Sequence, residues 1–232
     1  MEVIVFDVVI PELVTSYKNP HKIDPRTLDN SELCLWLRSI VEIEKELYEQ
    51  LKTKNMFTDD ELMCYRDVLG KDIYFLYPQR RTLSNYTRPN KIYAHVLINE
   101  GRYLGHVYSW QEILWVGKSC PCMESYTYTG CDCNKRELYL AVEGIRTSIV
   151  NMVERKTGGG VYGIGPIIIS SVIKLARNIN INSAGVLNPI GPMPNVLKKV
   201  GFCVDVYKFI YERSSFSDIT TKEYNLINKV EA

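Results

Sequence analysis

The sequence predicts an α/β fold, and three observations support that prediction. Strand-like apolar segments fill residues 91–142, segments with helical spacing precede them, and the order loop, helix, strand, helix, strand follows. The composition is that of a globular protein, with 46% hydrophobic and 11% aromatic residues and a net charge of +1. It excludes collagen, coiled-coil and largely disordered classes. Because no linker or repeat is visible in the 232 residues, we expect one domain spanning residues 1–232.

The N-terminal part predicts a strand followed by a long helix. Residues 1–10 are rich in Val, Ile and Phe, which favours a strand. Asp29 and Glu32 have the spacing of a capping box, and apolar residues then recur every three or four positions to about residue 54. Glu44 is the one charged residue on that apolar face.

A second capping box, Thr58 with Glu61, predicts a short helix to about residue 69. Gly70 is expected to end this helix, because glycine favours the position after a helix. Residues 72–77 are then expected to form a strand.

The middle of the chain predicts a β-hairpin. Residues 91–98 and 102–110 flank Asn99-Glu100-Gly101, which is a short turn signal. Residues 112–118 and 137–142 are expected to be further strands.

The C-terminal third begins with a glycine-rich loop. Residues 156–165 read KTGGGVYGIG and lead into a predicted amphipathic helix that starts near Pro166. We expect a strand at 183–187, a short helix at 194–200, a long strand at 202–212 and a tail at 213–232.

The glycine-rich loop predicts an anion site. A glycine loop that opens a helix exposes backbone N–H groups at the positive end of the helix dipole. Between residues 155 and 204 the chain has six basic residues and no acidic residue, which suits a small polyanion. A dinucleotide fingerprint fits poorly because no acid lies about 20 residues further on, and a P-loop lacks its Lys-Ser/Thr.

Residues 91–212 resemble the GNAT (N-acetyltransferase) superfamily. The resemblance rests on the hairpin, on Gly163-Ile164-Gly165 with the following helix to Ala176-Arg177, on Asn188-Pro189, and on Gly201-Phe202. It implies a mixed, largely antiparallel sheet flanked by helices, with residues 1–90 as an N-terminal helical elaboration on the acceptor side. The resemblance also implies that acetyl-CoA, or a related acyl-CoA, is the co-substrate.

By the same resemblance, the fourth strand pairs with the pantetheine arm of coenzyme A and the glycine loop holds its diphosphate. The residues implied to bind the cofactor are Ala141, Val142, Tyr162, Gly163, Ile164, Gly165 and Asn188.

The sequence departs from the family pattern at three places. Gly160 stands where the family usually has Arg or Gln, and Leu197 stands where it often has a Tyr acid. About a dozen extra residues, 144–155, separate the fourth strand from the loop. This insertion resembles one in acyltransferase-like proteins of large DNA viruses.

Acyl transfer to an amine needs a group that accepts the amine proton. Glu143, at the end of the predicted fourth strand, is the first candidate base, and Glu137 is the second. Tyr162 is the candidate for the missing acid, and His106 is expected to be a core or surface residue.

Four of the seven cysteines form a pattern of their own, Cys120, Cys122, Cys131 and Cys133. An antiparallel hairpin would place all four thiols on one face, with spacing that suits a structural zinc ion. A cross-strand disulfide or inert thiols in an insertion are the alternatives. Because no secretory signal is evident, the odd count argues against a disulfide framework.

These features together predict a cytoplasmic protein without a membrane span, in the host cytoplasm if it is viral. The leading hypothesis is an acyl-CoA-dependent N-acyltransferase that acts on an unidentified amine by direct attack in a ternary complex. The alternatives are a catalytically inactive module of the same fold and a zinc-stabilised adaptor. Nucleic acid is a poor fit as partner, since no strongly basic face accompanies the cysteines.

Overall fold

The computed structural model describes residues 1–10, 16–54, 56–77, 89, 91–116, 135–181, 183–186, 196–197, 200, 202–205 and 225–229. The strands in chain order are β1 (Glu2–Asp7), β2 (Ile92–Asn99), β3 (Arg102–Val116), β4 (Lys135–Thr147), β5 (Ser183–Val186), β6 (Cys203–Asp205) and β7 (Asn225–Lys229). The helices are α1 (Asn30–Lys52), α2 (Asp59–Leu76), α3 (Ile149–Lys156) and α4 (Ile164–Asn178), with short 3-10 helices at Pro20–Lys22 and Pro25–Thr27.

The seven strands form one mixed sheet in the order β1-β2-β3-β4-β5-β7-β6. Neighbouring strands are antiparallel, with the exception of β4 and β5, which are parallel. The parallel pair requires a crossover connection, and α3 and α4 supply it. The predicted fold class, a mixed and largely antiparallel sheet flanked by helices, is confirmed.

Helix α1 begins where the sequence predicts. The Asp29 side chain accepts a hydrogen bond from Glu32 N, and the Glu32 side chain accepts one from Asp29 N, so the capping box is present. Trp36 is 1% exposed, and its Nε1 donates to Pro20 O at 2.9 Å. This contact joins the helix to the 3-10 segment before it, because a buried indole N–H needs an acceptor.

Helix α2 corrects two predictions. Its Thr58–Glu61 capping box is present, but the helix continues through Gly70 to Leu76, and residues 72–77 form no strand. Phe75 is fully buried and its ring packs on Tyr108 at 4.6 Å between centroids. A glycine inside a helix costs about 1 kcal/mol, whereas burying a phenylalanine side chain contributes roughly 1.5–3 kcal/mol, so tertiary packing outweighs the local signal.

The hairpin at residues 99–101 is confirmed, but the strands around it are longer than predicted. Residues 102–110 and 112–116 belong to one strand, β3, and β4 runs on to Thr147. Residues 225–229, expected in a tail, form β7 between β5 and β6. This strand is a correction that local sequence signals did not indicate, since it depends on two distant partners.

The sheet has an apolar core on each face. Helices α1 and α2 cover one face, with Leu37, Ile40 and Phe75 at 0% exposure. Helix α4 covers the other face, where Ile168, Ile169 and Val172 are fully buried against β3, β4 and β5. None of the helices in the described residues combines the length and the hydrophobicity that crossing a bilayer requires.

Candidate functional site

Within the described residues, β4 and β5 are in parallel contact near the middle of β4. Leu140, Ala141 and Val142 are in register with Ala184, Gly185 and Val186, respectively. Strand β4 continues for five more residues to Thr147. Among the described residues, β5 therefore leaves the edge of β4 without a partner strand from Glu143 onward.

A β-bulge interrupts β4 at this same point. Tyr108 of β3 lies opposite Glu143 and His106 lies opposite Arg146, so two residues of β4 face one residue of β3 between these pairs and β4 carries one extra residue. Gly144 takes φ +70, and a Cβ there would lie 3.1 Å from Tyr108 Cδ2. Both the backbone conformation and the close packing call for glycine at this bulge.

Helix α3 fills most of the predicted insertion, and the glycine-rich loop follows it. Residues 157–163 lead from α3 to α4, and Gly163 is the N-cap of α4 with φ +74. In the described part of the chain, no side chain caps this end of α4. A Cβ on Gly163 would meet no atom within 4 Å, so the space in front of the helix is open.

Four of the six basic residues in the predicted anion window lie within the described residues, and these four do not lie together. Lys174 and Arg177 belong to the last turns of α4, and Lys174 is about 15 Å along the axis from the start of the helix. Lys156 Nζ is paired with Glu61 Oε2 at 2.7 Å. Arg155 remains beside the loop, with its guanidinium 4.4 Å from the centre of the Tyr162 ring.

The predicted base Glu143 lies at the start of the bulge and is 23% exposed. Its carboxylate forms an ion pair with Lys71 Nζ of α2, whose side chain is 46% exposed. Glu137, the second candidate, lies in β4 opposite Leu114 of β3. Glu143 therefore follows the stretch of β4 that pairs with β5 and is reachable from solvent.

The predicted cofactor residues divide between two places. Ala141 and Val142 lie on the stretch of β4 that pairs with β5, whereas residues 162–165 form the loop and the first turn of α4. Tyr162 is 64% exposed. Asn188 lies outside the described residues. Leu197, at the position of the family's tyrosine, is fully buried in the core beside α4.

Cys120, Cys122, Cys131 and Cys133 also lie outside the described residues. Within the described ranges, no group of three or more His, Cys, Asp or Glu side chains could hold a metal ion. The zinc hypothesis thus stays a prediction, for which the zinc content of the purified chain is the test.

Sequence reasoning missed a buried polar network between α1, α2, β3 and β4. Asp72 Oδ1 accepts hydrogen bonds from His106 Nε2 at 2.6 Å and from Tyr108 Oη at 2.9 Å. Tyr103 Oη lies 2.7 Å from His106 Nδ1 and accepts from Arg146 Nε at 3.1 Å. Because Tyr103 accepts from Arg146, its own proton points to His106 Nδ1, which fixes His106 as the neutral Nε2–H form.

Arg146 joins this network to a second carboxylate. Its Nη1 lies 2.6 Å from Asp72 Oδ2 and its Nη2 lies 3.1 Å from Glu44 Oε2, as ion pairs whose angles fall outside hydrogen-bond geometry. Glu44 also accepts from Tyr65 Oη and from Ser148 Oγ, both at 2.6 Å. Glu44, Asp72 and His106 are 0% exposed, so these groups hold the helices on β4 and are closed to a substrate.

Burial and charge together shift the pKa values in this network. Burial alone would raise the pKa of Asp72, but Arg146 and His106 outweigh it and lower that pKa. Burial lowers the pKa of His106 more than Asp72 raises it. Burial raises the pKa values of Tyr103 and Tyr108. The network therefore contains ionised Asp72 beside neutral His106 and neutral tyrosines at neutral pH.

The sequence carried one signal of this network. Glu44 interrupts an apolar helical face, which indicates a buried partner of opposite charge. Its partner Arg146 is 102 positions away in the printed sequence, and no local pattern connects the two.

A second buried histidine joins α4 to the sheet. His95 Nδ1 lies 2.9 Å from Ser171 Oγ, and Nε2 lies 2.8 Å from Ser109 Oγ. Ser171 Oγ donates its proton to Ile168 O, so it accepts from His95 Nδ1–H. Burial lowers the pKa of His95 to about 3.

Comparisons with known proteins found similar solved structures. No protein-family model matches the chain, and a search of curated proteins found no significant match. The chain is similar to an acetyltransferase of the GNAT family from Staphylococcus aureus (10% identity, TM-score 0.37, covering 84% of this chain and 95% of that one). It is also similar to Tetrahymena GCN5 (9% identity, TM-score 0.37, covering 75% and 91%).

A third similar structure is N-acetylglutamate synthase from Neisseria gonorrhoeae, complexed with coenzyme A and N-acetyl-glutamate (13% identity, TM-score 0.38). The match covers 76% of this chain and 34% of that protein. What this chain does is therefore inferred below from its own strand order, loop and charged side chains.

Proposed function

We propose that this chain binds an acyl-coenzyme A and transfers the acyl group to an amine. The observation that carries the proposal is the bulge of β4 at Gly144, which directly follows the stretch of β4 that pairs with β5. A strand edge that leaves its parallel neighbour offers N–H and C=O groups to an extended, amide-containing ligand. The pantetheine arm of coenzyme A is such a ligand, and Ala141 and Val142 mark the inner end of its path.

The loop before α4 fits the diphosphate end of the same ligand. The space in front of Gly163 is open, and the helix dipole adds roughly half a positive charge there. Gly165 lies in the first turn of α4, where backbone N–H groups have no acceptor within the helix and can bind an anion. Arg155 supplies a cation beside this loop, and Tyr162 supplies an aromatic ring within it. Gly163, Ile164 and Gly165 are therefore assigned to the diphosphate.

The proposed reaction forms one bond and breaks one. The acyl-CoA supplies an acyl group as a thioester, and the amine nitrogen attacks its carbonyl carbon. The new C–N bond forms, the C–S bond breaks, and the amine proton passes to Glu143. Lys71 must move off the Glu143 carboxylate for this step, since the two side chains form an ion pair. The leaving thiolate takes a proton from Tyr162 or from water.

Calorimetric titration with acetyl-CoA, coenzyme A and pantetheine tests the binding part of the proposal. We expect micromolar affinity for both coenzyme A ligands and much weaker binding of pantetheine, because pantetheine lacks the groups assigned to the loop. Equal binding of coenzyme A and pantetheine would remove the loop from the site. No binding of either would refute the acyl-CoA assignment.

A second candidate is a binding module of the same architecture without catalysis. Two observations favour it: Lys71 occupies the predicted base, and Leu197 is buried where the family has a tyrosine acid. The release of free thiol from acetyl-CoA, measured with a panel of amines, distinguishes the two candidates. An enzyme gives amine-dependent thiol release, and a binding module gives none despite binding the ligand.

A further inference from the structure

Helix α3 presents one fully buried amide, Asn151, to the glycine-rich loop. Asn151 Nδ2 donates to Val161 O at 2.9 Å, and Asn151 Oδ1 accepts from Val161 N at 2.7 Å. A single side chain thus satisfies both backbone groups of Val161, as a neighbouring strand would. Asn151 is 0% exposed, so water does not replace it in this structure.

The residues on either side of Val161 also contact α3. Gly160 has φ +80, and a Cβ there would lie 2.9 Å from Arg155 N and 3.0 Å from Asn151 O. Tyr162 stacks under the Arg155 guanidinium. Three consecutive loop residues therefore lie directly on α3, and this close approach requires glycine at position 160.

Helix α3 is itself fixed to the body of the protein. Ser148 Oγ and Ile149 N donate to Glu44 Oε1 at 2.6 and 3.1 Å. The Arg102–Glu154 pair at 2.7 Å also joins β3 to α3, but it is exposed and adds little to this attachment. The position of the loop is thereby determined by the sheet and α1, through α3.

We propose that Asn151 is a positioning residue that holds residues 160–162 so that Gly163 begins α4 with its first-turn N–H groups open to a diphosphate. This inference rests on the proposed function. Packing and hydrogen bonds from the inserted helix hold the loop in this arrangement before a ligand binds. A flexible glycine loop would lose conformational entropy to reach the same arrangement on binding. No other residue type supplies both a donor and an acceptor at this length without a charge, since glutamine is one methylene longer.

The test uses the full chain with Asn151→Leu, which keeps the volume and removes both hydrogen bonds, and Asn151→Asp, which keeps only the acceptor. Arg102→Gln is the matched control, because it removes a contact of α3 that does not involve the loop. Circular dichroism and thermal unfolding establish that each variant is folded at the temperature used. Amide hydrogen exchange at Val161 and titrations with coenzyme A and pantetheine are the two readouts.

In Asn151→Leu we expect the Val161 amide to exchange at least about tenfold faster, with the amides of β3 unchanged, whereas Asn151→Asp retains the acceptor for that N–H and its protection. Asn151→Leu is expected to bind coenzyme A about tenfold more weakly, while pantetheine affinity and the Arg102→Gln control stay at the wild-type level. A merely structural role would weaken both ligands together or neither. Unchanged exchange at Val161 in Asn151→Leu would overturn the proposal, as would faster exchange with unchanged coenzyme A affinity.

The experiment separates this inference from the proposed function. Wild-type protein that binds no coenzyme A would refute the acyl-CoA assignment, and with it the purpose given to Asn151. The exchange result would still decide whether Asn151 holds the loop.

Discussion

Replacing Arg146 by methionine isolates the energy of the buried network. The side chain keeps much of its length but loses the charge that faces both Glu44 and Asp72. Both carboxylates are 0% exposed, and neither can turn to solvent without moving α1 or α2.

The expected destabilisation is large because two buried charges lose their common partner. Removing one member of a buried ion pair costs about 3–5 kcal/mol. A folded domain is stable by about 5–15 kcal/mol, so Arg146→Met removes a large share of the total. Combining Arg146→Met with Glu44→Gln and Asp72→Asn is expected to restore part of the loss, because the amides carry no charge.

Urea unfolding followed by circular dichroism measures this difference, and Arg146→Lys serves as a second variant that keeps the charge. Arg102→Gln is the matched control, since Arg102 and Glu154 form an exposed pair worth about 0–1 kcal/mol. A loss below about 1 kcal/mol for Arg146→Met, equal to the control, would show that the network does not stabilise the fold as the geometry indicates.

The remaining predictions concern the proposed site and pH. Glu143→Gln is expected to slow amine-dependent thiol release by about 10²–10⁴-fold without changing coenzyme A affinity, and a smaller effect would remove Glu143 as the base. Gly165→Asp is expected to abolish coenzyme A binding in calorimetry, whereas the uncharged Gly165→Asn retains more of it. Both side chains have the same size and would meet the same neighbour, Val196, whose Cγ1 lies 3.4 Å from a Cβ at residue 165, so equal binding by the two variants contradicts the diphosphate assignment. Folded His95 has a pKa of about 3, so below pH 6.5 the unfolded chain binds a proton there that the folded chain does not, and stability falls as pH falls. Between pH 7.5 and 5.5 this histidine lowers the free energy of unfolding by about 1.4 kcal/mol. In urea unfolding, the stability of His95→Gln should therefore fall by that much less over this range. The same pH profile for both proteins would contradict the lowered pKa of folded His95.

Local chemistry determined the parts of this protein that sequence reasoning predicted well. The capping boxes at Asp29 and Thr58 set where α1 and α2 begin, because the side chains that satisfy the first N–H groups lie within three residues of them. The turn at Gly101 and the start of α4 near Gly163 follow from the same short-range logic. The candidate loop follows from its glycines and the helix after it, whereas Glu143 as candidate base follows from the family resemblance, which supplied the fourth strand.

Only the tertiary structure decided the features that depend on distant partners. Helix α2 passes through Gly70 because Phe75 is buried against β3, and β7 exists because it pairs with both β5 and β6. The bulge at Gly144 requires the register of β3 against β4, which is set by the whole length of both strands.

The same distinction explains the candidate site. Glu44 was visible as a charge on an apolar face, but its pairing with Arg146 required the folded chain. In the sequence, Asn151 is one polar residue of an insertion. Its two hydrogen bonds to Val161 form because α3 packs beside the loop. The sequence by itself determined which groups are available, through local hydrogen bonding and apolar periodicity. The tertiary structure decided which of these groups contact one another, because the contacts that become buried are those that lower the free energy of the whole fold.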